Sequence, residues 1–143
     1  MTVATILAHK GREVTTITPA KTIADAVAVL ARKKIGALVV LDEAHRIAGI
    51  ISERDIVRAI AASAGAALAE PVSSIMTRGV VTCSDGETIN SVMTRMTRGR
   101  FRHLPVTNGG RLSGIISIGD VVKARIEQVE HEAEEMRTYI ASA

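Results

Sequence analysis

Serine and aspartate recur three residues apart at two places in the chain: Ser52 and Asp55 in GIISERD, and Ser117 and Asp120 in GIISIGD. In each copy the preceding residues read as the end of a strand, and the aspartate falls in the first turn of a helix. There the helix terminus favours negative charge and offers free N–H groups. An aspartate carries two acceptor oxygens, which match the two hydroxyls of a ribose diol. A serine three residues earlier caps the helix or donates to a phosphate. The same pair also has the form of a capping box, and the two roles are compatible. One basic cluster accompanies these motifs, RGRFRHLPV, with Arg98, Arg100, Arg102 and His103. Read as a strand, it puts Arg100 and Arg102 on one face and His103 on the other. Arg98 and Arg100 read as an exposed charged edge. Arginine suits bidentate phosphate binding, and histidine would add pH dependence.

No other side chains form a reactive set. Cys83 is the single cysteine. It permits no internal disulfide and reads as a small packing residue more readily than as a redox sensor. His9, His45 and His131 are far apart, without metal-ligand spacing. Neither a nucleophile elbow nor a phosphate-cradling glycine loop occurs, so the chain is expected not to be an enzyme. The net charge of +3 is modest and the aromatics are Phe101 and Tyr139 alone. A basic face for duplex DNA and stacking platforms for single strands are both missing, so no nucleic-acid partner is expected. The sequence has no secretory leader pattern and no apolar run of about 18 residues. The expected location is cytoplasmic, with no membrane partner.

The elements that must position the two junctions repeat as well. Residues 16–57 and 81–122 align with Thr22 on Thr88 and Leu38 on Leu104, each 66 positions apart. Each copy predicts an extended segment (14–18; 80–84), then a helix capped by Thr22 or Thr88, with Asp25 close to completing a box. Ile23, Ala26, Val27 and Leu30 make one apolar helix face, and Ile89, Val92, Met93 and Met96 the other. Strands 35–41 and 101–107 follow. Hairpin turns lead to strands 47–52 and 112–117, and each runs into a helix. The order is β-α-β-β-α, twice, in an α+β fold. One three-stranded unit has a marginal core, and two packed sheet to sheet would bury what each exposes.

This order, with TI…A…IGALVV…GIISERD and TI…M…FRHLPV…GIISIGD, closely resembles the CBS domain, and the pair resembles a Bateman module. The resemblance implies tandem repeats with pseudo-twofold symmetry: an N-terminal helical segment at 1–13, repeats at 14–66 and 67–127, and an extension at 128–143. It implies a standalone sensor without a catalytic cofactor that binds AMP first, or ADP, ATP, NAD(H) or S-adenosylmethionine. Signalling would run through conformation or association, commonly as a homodimer, to a regulated protein the sequence does not identify. The family's clefts imply one site of Thr16, Ile17, Thr18, Ile23, Gly36 and Ala37 with Ser117 and Asp120. The other would hold Thr82, Cys83, Ser84, Arg102 and His103 with Ser52, Arg54 and Asp55. By the same resemblance, Ala37 or His103 backbone would read the adenine edge, Ile23 or Ile89 would sandwich the ring, and Arg102 and His103 would meet phosphate. The copies differ where Gly36-Ala37 stands against Arg102-His103 and Arg54 against Gly119, so unequal clefts are expected. The alternative is a ligand-free dimerisation module acting through a protein partner.

The tail reads as one long helix from 121 to about 142. Ile126, Val129, Ala133, Met136 and Ile140 form a seam of alternating three and four, as in a helix–helix contact between protomers. Residues 3–7 are expected to form a helix packing beside it.

Overall fold

The structure is a computed structural model that describes residues 1–142. It is α+β, with two small sheets and a long C-terminal helix. The elements are α1 (Val3–Lys10), β1 (Thr16–Ile17), α2 (Ile23–Lys33), β2 (Ala37–Leu41), β3 (Ile47–Ser52), α3 (Glu53–Ser63), α4 (Ile89–Gly99), β4 (His103–Asn108), β5 (Arg111–Ser117) and α5 (Ile118–Ser142). Two short 3-10 turns, Ala64–Ala69 and Val72–Ser74, follow α3. The contacts divide the chain into two compact units: Glu13–Val81, and Met1–Arg12 together with the residues from Thr82 onward.

The first unit carries a sheet in the order β1-β2-β3, with β1 parallel and β3 antiparallel to β2. Thr22 opens α2 as a full capping box: its hydroxyl accepts from the Asp25 N–H at 3.1 Å and its N–H donates to the Asp25 carboxylate at 3.1 Å. Those bonds hold the Asp25 carboxyl below its ordinary pKa. Lys34 ends the helix in the left-handed region, and Arg100 does the same for α4. Arg100 therefore terminates a helix and shares no strand face with Arg102.

The second unit lacks the expected third strand. Cys83 makes a single parallel bridge to Val106, with its N–H on Pro105 and its carbonyl accepting from Thr107. The backbone groups on either side of it, which face away from β4, are bonded to side chains. Arg95 donates to the Thr82 carbonyl at 2.6 Å, and the Ser84 N–H donates to Glu87 at 2.7 Å. Arg95 and Glu87 also pair with each other.

The two cores correspond position by position. Ile17, Ile23, Ala26, Leu30, Leu38, Val40, Ile51 and Ile56 fill the first. Cys83, Ile89, Val92, Met96, Leu104, Val106, Ile116 and Val121 fill the second. The correspondence extends beyond the sequence repeat, because Val72 and Met76 complete the first core as Val3 and Leu7 complete the second. The lead-in segments are thus exchanged. Helix α1 precedes the first repeat yet packs on the second. Residues 67–81, counted from sequence with the second repeat, pack on the first.

The anchoring bonds match too. Val3 and Ala4 N–H donate to the carbonyls of Glu87 and Asp85, and Val72 and Ser73 N–H donate to those of Lys21 and Pro19. The glycine that opens each GIIS makes room for these segments. A Cβ on Gly49 would lie 2.8 Å from the Met76 sulfur and the Thr77 carbonyl, and one on Gly114 would lie 2.9 Å from the Leu7 methyls.

Candidate functional site

Both Ser-x-x-Asp motifs form capping boxes at strand-to-helix junctions. In the first, the Ser52 N–H and hydroxyl donate to Asp55 Oδ2 at 2.8 and 3.0 Å, and the Asp55 N–H returns to Ser52 Oγ at 3.4 Å. In the second, the Ser117 N–H donates to Asp120 Oδ2 at 2.9 Å and the Asp120 N–H donates to Ser117 Oγ at 3.2 Å. The four side chains are half-buried, while Arg54 is exposed. In neither carboxylate does Oδ1 accept a hydrogen bond among the described residues.

Asp120 has a further partner. Lys10, the last residue of α1, donates to its Oδ2 at 2.7 Å and to the Ile115 carbonyl at 2.9 Å. Burial alone would raise the Asp120 pKa. The bonds from Lys10 and Ser117 outweigh it and hold the carboxyl below its ordinary value. Sequence reasoning missed Lys10, which stands 110 positions from its partner with no local signal.

Each junction is tied to the start of the middle strand of its own repeat. The Glu53 N–H donates to the Gly36 carbonyl at 3.0 Å, and the Ile118 N–H donates to the Arg102 carbonyl at 2.8 Å. Ala37 pairs with Ser52 and His103 with Ser117. Gly36, Ala37, Ser52 and Asp55 therefore converge at one end of the first sheet, and Arg102, His103, Ser117 and Asp120 at the same end of the second. His103 lies two residues before Pro105, whose carbonyl accepts from Cys83, so its backbone groups point to that same side of β4. β1 covers β2 only at Val39 and Val40, which leaves the strand edge beside Ala37 without a strand neighbour among the described residues.

Thr16, Ile17 and Thr18 line a cavity of about 400 Å³ within the first unit, with Lys21, Asp25, Ala28, Val29 and Arg32. Lys21 and Arg32 are cations there that the motif reading did not single out. Gly36, Ala37, Ser52 and Asp55 do not line this cavity.

The side chains of Ile23, Ile89 and Cys83, expected at the clefts, lie elsewhere. Ile23 and Ile89 are 0% and 1% exposed, so both side chains are shut in their cores and neither is placed to sandwich a ring. The apolar part of the cavity wall comes from Ile17, Ala28 and Val29 instead. Cys83 is also core, and burial pushes its thiol up to about 12, which leaves it unsuited to redox sensing. Thr82 and Ser84 stand on either side of it, with Thr82 held through Arg95 and Ser84 through Glu87. Among the described residues there is no cluster able to hold a metal ion and no helix long and apolar enough to cross a membrane.

Known proteins show the same organisation. A family model, the CBS domain, matches residues 9–62 and again 72–127. The crystal structure of a CBS-domain containing protein from Agrobacterium tumefaciens is 49% identical with a TM-score of 0.85, covering 87% of this chain and 92% of that one. A mitochondrial CBS domain-containing protein of Arabidopsis thaliana is 35% identical over 123 residues, 83% of this chain and 60% of that protein. The chain spans about two thirds or less of the length of such curated relatives. The CBS domain pair of protein MJ0100, crystallised with 5′-methylthioadenosine and S-adenosyl-L-methionine, is 26% identical with a TM-score of 0.80, covering 90% of this chain and 98% of that one. With the family model matching twice, in order, across most of its length, the chain belongs to the CBS domain family as a tandem pair.

Proposed function

We propose that this CBS pair is a non-catalytic regulatory module that binds an adenosine-containing ligand, AMP first, with ADP, ATP and NAD(H) as competitors for the same role. The observation that carries the reading is the duplicated Ser-x-x-Asp junction. Each copy presents a carboxylate with one oxygen that accepts no hydrogen bond among the described residues, beside the start of a middle strand, which suits a ribose diol next to an adenine edge. The related pair at 26% identity holds two adenosine compounds in its crystal structure, which supports the same ligand class here. Arg102 at the second junction, and Lys21 and Arg32 by the 400 Å³ cavity, would supply cations for phosphates, with His103 as a further polar group. The output would pass through conformation or association to a partner protein, in a cytoplasmic setting.

Thermal unfolding with AMP, ADP, ATP, NAD⁺, NADH, S-adenosylmethionine and 5′-methylthioadenosine tests this. A ligand at 100 times its dissociation constant stabilises by about 2.7 kcal/mol. AMP is expected to give the largest rise, reduced by Asp55→Asn or Asp120→Asn. No rise with any of the seven overturns the proposal. The second reading, a ligand-free dimerisation module, is favoured by the Lys10–Asp120 pair, which already gives one carboxylate a structural task.

A further inference from the structure

Helices α1 and α5 border a cavity of about 280 Å³ that lies wholly within the second unit. Its floor is apolar, built from Ile6 and Ala124, which are both buried. Its walls carry charge. On α5, Asp120, Lys123 and Glu127 line it with Ala124, at the spacing of one helix face. On α1, Thr5, His9 and Lys10 line it from the other side. The Lys10–Asp120 pair closes one end at 2.7 Å. Lys10 makes two bonds, to Asp120 and to the Ile115 carbonyl, so its third N–H is uncommitted among the described residues. The ion pairs within α5 are His131–Glu135 and Arg137–Glu134. Lys123 and Glu127, also one turn apart, form none among the described residues. Lysine ahead of glutamate is the weaker order for such a pair.

We propose that this cavity binds a free α-amino acid with an apolar side chain. The ligand's side chain lies on Ile6 and Ala124. Its carboxylate meets Lys123 and the spare N–H of Lys10, and its ammonium meets Glu127. Lys123 and Glu127 stand about 6 Å apart along the helix axis. Their flexible side chains can therefore converge on two charged groups carried by one carbon. The sign pattern selects this class of ligand. A purely anionic molecule is repelled by Glu127, and a purely cationic one by Lys123 and Lys10. An uncharged molecule would desolvate these groups without pairing them. The volume lies just below the usual range for small-molecule pockets, about 300–1,000 Å³, which fits an amino acid and is small for a dinucleotide. His9 and Thr5 add polar groups on the α1 wall. This site stands apart from the proposed adenosine role, although Asp120 borders both.

Isothermal titration calorimetry of the full chain tests this, with L-leucine, L-isoleucine, L-methionine and L-phenylalanine as probes. Saturable binding of at least one of them, at one per chain, is expected. For the tightest probe, the analogue without the ammonium and the analogue without the carboxylate (isocaproate and isoamylamine in the case of leucine) should each bind at least about tenfold more weakly, because a charged hydrogen bond is lost. Lys123→Met and Glu127→Gln should each weaken binding of the same probe by about tenfold or more. Both side chains are exposed, so thermal unfolding without ligand should be unchanged, and the response to AMP should match that of the wild type. The AMP response thus separates failure of this site from failure of the adenosine reading. Absence of binding by all four amino acids overturns the proposal. So does equal binding of the single-charge analogues, or undiminished binding by the two variants.

Discussion

The junctions GIISERD and GIISIGD share their glycine, their capping box and their tie to the middle strand, yet they differ in what lies against them. At the first, the Ser52 hydroxyl donates to Asp55 and the lead-in backbone presses on Gly49 through the Thr77 carbonyl. At the second, Asp120 is held by Lys10 and Gly114 faces only the methyl ends of Leu7. Arg78, the lead-in cation ahead of the second repeat, turns instead to the Ser73 carbonyl at 3.3 Å. The difference teaches that a duplicated motif copies its local bonds, while its charge environment is set by segments from elsewhere in the chain.

The largest expected effect sharpens the steric half of this comparison. Gly49→Ala should destabilise by about 2–3 kcal/mol and Gly114→Ala by about 1 kcal/mol in denaturant titrations, because a backbone carbonyl cannot move aside as a leucine tip can. An equal or larger loss at Gly114 would break it. Removing the caps comes next. Ser52→Ala and Ser117→Ala should each cost about 1 kcal/mol, with Ser52 the larger because its hydroxyl both donates and accepts.

Lys10→Met should cost about 0.5–1 kcal/mol at neutral pH, as expected for a partly exposed pair. The Asp120 pKa is lowered in the folded state, so its contribution is present above the unfolded value, about 3.9, and is lost as pH falls through the folded one. The variant should therefore lose less stability than the wild type on acidification below about pH 4; parallel acid limbs would count against the pairing. The smallest effect is chemical. Cys83, which replaces Ile17 in the second core, should resist iodoacetamide at pH 8 until the protein unfolds, since its thiol titrates near 12. Rapid alkylation of the native protein would show that this core is open.

Much of the fold was legible because its signals are local. Thr22, Thr88, Ser52 and Ser117 cap the helices whose starts they mark, and β3 runs from Ile47 to Ser52, the bounds expected between the hairpin turn and the capped helix. The shortening of the expected strand at Cys83 to a single bridge was not legible, because how far it pairs depends on the path of β4, which is distant in sequence. Nor was the cavity at Thr16–Thr18, whose cations Lys21 and Arg32 gather only when α2 folds back along β1.

The sequence by itself determined the duplicated α-β-β-α order, the four caps and the apolar helix faces of the two cores, since periodicity and short-range hydrogen bonding act within a few residues. Only the tertiary structure decided that each lead-in segment packs on the other repeat and that Lys10 meets Asp120. Those outcomes depend on which distant surfaces meet, and no spacing along the chain encodes that.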